Sequence, residues 1–237
     1  MNALTEELGE ALKSRVGELK TESKVRVAVL TGAGKAFSAG GDLEWLLARH
    51  RDSPQNNVAV MKEFYRKFLV MRDLEVPVIA AINGPAIGAG LCLAVGGADI
   101  RVASQKARMG VTFTRLGLHP GMAATHFLPQ LVGPQVAAEL LLTGRLVDSS
   151  EAERLGLVAR VAEDAMTPAR EIAGQICEAG PVSVRTLTKT LRARQNSGLE
   201  ETFSTEAEAQ AVCYPTEDLA EGVIALQQKR NPKFVGR

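Results

Sequence analysis

The sequence predicts an α/β domain with a mainly parallel sheet and a helical C-terminal third. Three observations carry this. Short β-branched runs alternate with helix-period segments over the first two thirds. Two small-residue, glycine-rich stretches, Gly32–Asp42 and Gly84–Gly90, each follow a strand and lead into a helix. Beyond a boundary near Glu163–Thr167 only helical periodicity remains, so residues 1–163 read as the core and 164–237 as a helical C-terminal region.

The elements follow in order. Met1–Lys20 predicts a helix, because Leu4, Leu8, Leu12, Val16 and Leu19 fall on one face. Val25–Leu30 is a strand, stopped by Thr31-Gly32-Ala33-Gly34, and Leu43–Arg49 starts a helix. Arg51–Asn57 is polar, contains Pro54 and reads as a mobile surface loop. Val58–Leu74 has an apolar stripe through Met61, Phe64, Phe68 and Met71, as a helix should. Val76–Ile82 is a buried strand, Asn83-Gly84-Pro85 turns the chain, and Leu91–Val95 begins an apolar helix. Asp99–Ala103 returns to the sheet, and Met109–Gly121 is a loop carrying Phe113, Arg115 and His119. Helices are expected at Ala123–Leu131, Val136–Leu142 and Ser149–Leu155, then a strand at Gly156–Val161. Pro168–Ala179, Ser183–Gln195, Leu199–Cys213 and Asp218–Arg230 complete the chain as helices.

Composition removes several functions. At 237 residues and net charge +1, the chain has a real core and no global field for nucleic acid or a membrane surface. Its apolar runs break well short of a membrane span, and no basic segment with an apolar run opens it. Cys92, Cys177 and Cys213 are odd in number and widely spaced, against a disulfide framework or a zinc site. A cytoplasmic protein without a metal is expected. His50, His119 and His126 show no ligand spacing.

The two glycine-rich turns invite a nucleotide reading that their residues do not support. Thr31-Gly32-Ala33-Gly34-Lys35-Ala36 lacks the P-loop spacing and the third glycine of a dinucleotide fingerprint. Ser38 is not in a nucleophile elbow, so a serine hydrolase has no support. One such loop is most simply a tight turn. Two of them, each opening a helix, could each present one backbone N–H to a single oxygen, which makes an oxyanion hole.

These residues also carry a resemblance. Lys35–Leu43, Ile79–Gly90, Asp99–Ala103, Leu141–Arg145, Glu151 through Val158, and Glu217 through Arg230 together resemble the crotonase superfamily, the enoyl-CoA hydratase/isomerase family. The match runs from Asn2 to Phe234. It implies a spiral of ββα turns with a helical C-terminal trimerisation region, assembled as a homotrimer or homohexamer, whose C-terminal helices cover a neighbour's site. It implies an acyl-CoA thioester as substrate, coenzyme A entering only as part of that substrate, and no separate cofactor. Carried over by position, Gly41 and Ala89 would supply the oxyanion-hole N–H groups. The backbone of Lys35, Ala36 and Phe37 would lie beside the adenine, and Ala39, Gly88, Cys92 and Phe113 would belong to the substrate-binding residues. Lys229 and Phe234 would touch the coenzyme A of an adjacent subunit, a solvated helix end being the alternative for Lys229. Family members usually begin with about two strands before the Asn2-Ala3-Leu4 segment at which this sequence starts, so the N-terminal hairpin is expected either to be missing or to precede this sequence.

Two departures bear on the chemistry. Where family hydratases carry their two glutamates, this chain has Cys92 and Phe113. Adding water to a conjugated double bond needs a positioned acid and base, so efficient hydration is not expected. One extra residue around Gly96-Gly97 also bears on the register of Cys92. His119, just before Pro120-Gly121, is a candidate proton donor, with a loop histidine bonded to backbone as its alternative. Glu44, Asp42 and Arg115 are further candidates, Asp42 reading better as a helix cap. Three functions stay open: an enoyl-CoA hydratase/isomerase-type enzyme that stabilises an enolate, a decarboxylase or double-bond isomerase with a non-glutamate proton donor, and an acyl-CoA-binding subunit with little catalysis.

Overall fold

A computed structural model describes residues 1–237. The chain opens with β1 (Ala3–Leu4) and α1 (Glu6–Thr21), then enters the sheet at β2 (Ala28–Thr31). The short β3 (Gly40–Gly41) follows, with α2 (Leu43–Arg49) and α3 (Pro54–Leu69). The next turn repeats the plan: β4 (Val78–Ile82), short β5 (Ala86–Ile87) and α4 (Ala89–Gly97). A third gives β6 (Ile100–Ser104), short β7 (Arg108–Gly110), α5 (Ala124–Val132) and α6 (Pro134–Thr143). Short β8 (Val147–Asp148), α7 (Ser149–Arg154) and β9 (Arg160–Ala162) end the core.

Four strands form one all-parallel sheet in the order β2-β4-β6-β9. Parallel neighbours require a crossover, and each crossover between β2, β4 and β6 contains one short strand and at least one helix. The short strands make a second layer, in which β5 pairs parallel with β7 and β7 antiparallel with β8. β1 pairs with β3, and an isolated bridge joins Ser38 to Ala86. This is the expected spiral of ββα turns.

Central β4 is buried along its whole length, which is why it shows no polar alternation. Val78, Ala80 and Ile82 enter the main core, while Ile79 and Ala81 enter a smaller cluster with Ala165, Ala169 and Ile172. That second cluster is covered by α8 (Met166–Glu178). Next, α9 (Pro181–Gln195) fastens the sheet through buried Arg192. Its guanidinium donates to both Asp99 oxygens, at 2.8 and 2.5 Å, and to the carbonyls of Arg72, Leu74 and Val76. α10 (Leu199–Cys213) packs along α3, and α11 (Glu217–Gln227) lies against α2 and the 113–116 turn. No helix is long and apolar enough to cross a membrane.

Three local expectations are corrected. α1 begins at Glu6, because Thr5 caps it by accepting from Leu8 N at 3.2 Å, and Ala3–Leu4 pairs as a strand. The expected loop 51–57 holds the first turn of α3, where Ser53 accepts from Asn56 N and Pro54 takes the first helical position. Loop Met109–Gly121 contains the end of β7 and a 3-10 turn at 113–116.

Candidate active site

The two glycine-rich turns lie against each other. Pro85 O accepts from Phe37 N and Ser38 N at 3.0 and 3.1 Å, and Ile87 N donates to Ser38 O at 3.0 Å. Ser38 is structural: its hydroxyl donates to Asn2 O at 2.7 Å and accepts from Gly40 N at 3.2 Å. Gly90 packs on it so closely that a Cβ there would sit 2.6 Å from Ser38 Cβ. Gly40 has φ +95°, and a Cβ on it would lie 2.6 Å from Ile87 O and 3.6 Å from Ala89 N. Only glycine combines that φ with that approach. The result sets Gly40 and Gly41 beside the first residue of α4, Ala89, on one wall of a cavity of about 470 Å³.

Asp42 caps α2, accepting from Trp45 N at 2.9 Å. That fixes Trp45 in the wall, stacked on Phe64 with ring centroids 4.9 Å apart. Leu46, Met61, Phe64, Leu118 and Met122 give the inner wall its buried apolar surface. Its polar part is a closed cluster. Gln210 Oε1 accepts from the hydroxyls of Tyr65 at 2.8 Å and Tyr214 at 3.2 Å, while Gln210 Nε2 donates to His119 O at 2.8 Å. Tyr214 also lies 3.0 Å from Met61 Sδ. Burial raises both phenol pKa values, that of Tyr65 well above normal, so both stay protonated.

Behind this wall lies a carboxylate, Glu206. It is 1% exposed and accepts from Ala123 N (2.6 Å), Thr125 N (2.9 Å) and Thr125 Oγ1 (2.5 Å). Burial pushes its pKa up to about 7, outweighing those three donors. Glu206 and Gln210, one turn apart on α10, thereby hold the loop from His119 to Thr125. Met122 and Ala123 in that loop take left-handed conformations, φ 57° and 56°.

The cavity gathers some of the expected residues and leaves others outside. Gly41, Ala89, Ala39, Gly88 and Phe113 line it, as does Arg115. Lys35, Ala36, Phe37, Cys92, His119, Lys229 and Phe234 do not. Phe37 is core, its N–H already bonded to Pro85, and Ala36 O accepts from Asn2 Nδ2 at 2.9 Å; Lys35 is exposed. Cys92 is 1% exposed within apolar α4, and burial raises its thiol pKa well above normal, so it acts as a core residue. His119 turns to backbone, Nδ1 lying 2.7 Å from Pro120 O, and His126 Nε2 lies 2.6 Å from Gln195 O. Lys229 and Phe234 are exposed, where they could face an adjacent subunit, and neighbouring Arg230 lines this chain's cavity, paired with Glu221 at 2.5 and 2.8 Å. The C-terminal helices cover this chain's own cavity: Tyr214, Leu226 and Arg230 belong to its lining.

Glu206, Gln210 and both tyrosines were not legible as site residues. One signal existed. The chain has two tyrosines and one tryptophan, and all three line the cavity. No lining residue is an aspartate, glutamate, histidine, lysine or cysteine. No cluster of three or more histidine, cysteine, aspartate or glutamate side chains could hold a metal.

A sequence model described as enoyl-CoA hydratase/isomerase matches residues 1–237. The chain belongs to that family. The crotonyl-CoA hydratase of Syntrophomonas wolfei is 33% identical over 246 residues, spanning 100% of this chain and 91% of its own. The short-chain-enoyl-CoA hydratase of Clostridium acetobutylicum is 34% identical over 97% of this chain and 88% of its own. The enoyl-CoA hydratase/isomerase structure from Pseudoalteromonas atlantica superposes with TM-score 0.84 at 31% identity, covering 98% of this chain and 91% of that one. This enoyl-CoA hydratase/isomerase family protein therefore shares its crotonase fold along the whole chain with proteins named for CoA thioesters.

Proposed function

We propose that the protein binds an acyl-CoA thioester, places the carbonyl oxygen between the backbone N–H groups of Gly41 and Ala89, and stabilises the enolate that develops there. The meeting of two small-residue strand-to-helix turns at one cavity wall carries this reading. Ala89 opens α4, where backbone N–H groups lack intrahelical partners and carry partial positive charge. The names of the relatives, hydratases of crotonyl-CoA and of short-chain enoyl-CoA, support the thioester class.

The acid and base of hydration are another matter, because Phe113 lines the cavity and no carboxylate does. An enolate reaction drawing its proton from a hydroxyl or from water, decarboxylation or a double-bond shift, fits these walls better than hydration. A thioester-binding subunit with little turnover is the limiting case. The test measures crotonyl-CoA hydration beside the infrared carbonyl band of bound thioester. A red-shifted band with hydration orders of magnitude below a typical enzymatic ~10 s⁻¹ supports the proposal. Fast hydration removes its second half, and an unshifted carbonyl its first. We assign the same protein the homotrimer or homohexamer that the resemblance implies, consistent with the exposed Val182, Leu187 and Leu191 of α9. Sedimentation at micromolar concentration giving a clean monomer removes that assignment.

A further inference from the structure

We infer that the acyl site is built for a neutral, apolar acyl chain longer than four carbons and discriminates against acyl groups ending in a carboxylate. This rests on the thioester reading above and adds the substrate class. Inward from Gly41 and Ala89, the wall consists of Leu46, Met61, Phe64, Leu118 and Met122, all at most 9% exposed. A four-carbon acyl group has roughly the bulk of three or four waters at ~30 Å³ each. The cavity, at about 470 Å³, is several times that bulk.

The polar atoms at the inner end offer an anion little, one N–H of Gln210 Nε2 being the sole side-chain donor without a partner there. Both phenol protons have acceptors in Gln210 Oε1 and Met61 Sδ, and Gln210 Nε2 is held by His119 O. A carboxylate would have to break these bonds to gain more than that one donor, and a buried anion so poorly solvated is strongly disfavoured. Nor is there a cation to receive it. The only charged lining residues, Arg115 and Arg230, are exposed at the mouth, and Arg230 is already paired with Glu221. Glu206, the buried carboxyl behind the wall, already takes the N–H groups of Ala123 and Thr125 and offers an incoming anion no positive partner. Methylenes, by contrast, gain from every ångström of this surface, each buried one being worth about a factor of four in affinity.

Calorimetric titration of the full-length protein with free CoA, butyryl-CoA, octanoyl-CoA and glutaryl-CoA tests the inference. Octanoyl-CoA is expected to bind at least tenfold tighter than butyryl-CoA, and glutaryl-CoA more weakly than butyryl-CoA. A length effect below tenfold, or glutaryl-CoA binding as tightly as butyryl-CoA, overturns the inference and leaves the thioester reading standing. If no thioester binds better than free CoA, that reading falls and the inference with it. Met61→Trp, which fills the inner volume, is expected to abolish the octanoyl preference. A folded variant that keeps the preference places the chain elsewhere and overturns the assignment, while the wild-type series decides the matter should the variant not fold.

Discussion

The wall at Gly41 and Ala89 is made of backbone, whereas the wall at Tyr65, Gln210 and Tyr214 is made of side chains brought together from α3 and α10. The first is local in sequence: the turns are Gly32–Asp42 and Gly84–Gly90, and glycines allow the approach of one to the other. The second joins residues 145 positions apart in the Tyr65–Gln210 bond. Backbone donors keep their chemistry whatever side chains surround them, so this end is broken only by changing the path of the chain. Side-chain walls change with single substitutions. Under the function proposed above, the first wall would be a fixed device for an oxygen and the second an adjustable surface for an acyl group.

The sharpest way to break that contrast is Gly40→Ala. The added Cβ meets Ile87 O in a left-handed conformation, so a stability loss of about 2–4 kcal/mol is expected. Thioester turnover should fall by about 10²–10³, the usual cost of a lost oxyanion donor. Thermal unfolding and the carbonyl band of bound thioester measure the two effects. A variant with wild-type stability and an unchanged band would detach Gly40 from this role.

Glu206 probes the opposite end. Its folded pKa of about 7 lies above the ordinary 4.5, so the fold favours the protonated form. The associated stability is fully present below about pH 4.5 and is lost as pH rises through about 7, on the order of 3 kcal/mol. Glu206→Gln should flatten that slope in denaturant titrations at pH 5 and 8. An equal slope in both proteins would assign it to another group.

A smaller effect is expected from Phe113→Glu, which gives the cavity wall one carboxylate. Crotonyl-CoA hydration should rise by less than tenfold, because acid and base act as a pair. Adding Cys92→Glu should not raise it further, since position 92 faces the core rather than the cavity. A rise of a hundredfold in the double variant, followed by absorbance of the enoyl thioester, would reverse this placement. Least of all should change with Tyr65→Phe. Gln210 Oε1 keeps the Tyr214 hydroxyl, so a loss of about 1 kcal/mol is expected in urea unfolding.

Sequence periodicity located the long elements because each obeys a local rule. β4 is continuously apolar because both its faces are covered, and α10 runs Leu199–Cys213 as expected. The strands of the second layer and the N-terminal pair, β1, β3, β5, β7 and β8, have two or three residues each and are too short for any period to register. They exist because a neighbouring backbone lies at pairing distance. Pro54 read as a loop residue, yet Ser53 immediately before it made it a helix start.

By itself the sequence determined the alternation of strands and helices, the two small-residue turns and the absence of glutamates at positions 92 and 113. These depend on residue type and spacing, which are local quantities. Only the tertiary structure decided that Cys92 and His119 face away from the cavity while Tyr65, Gln210 and Tyr214 close it. It also decided that Arg230 lines the cavity, and that a buried Glu206 holds the loop behind it. A side chain's direction and partners depend on how distant helices pack, and no pattern within either helix records what the other will place opposite it.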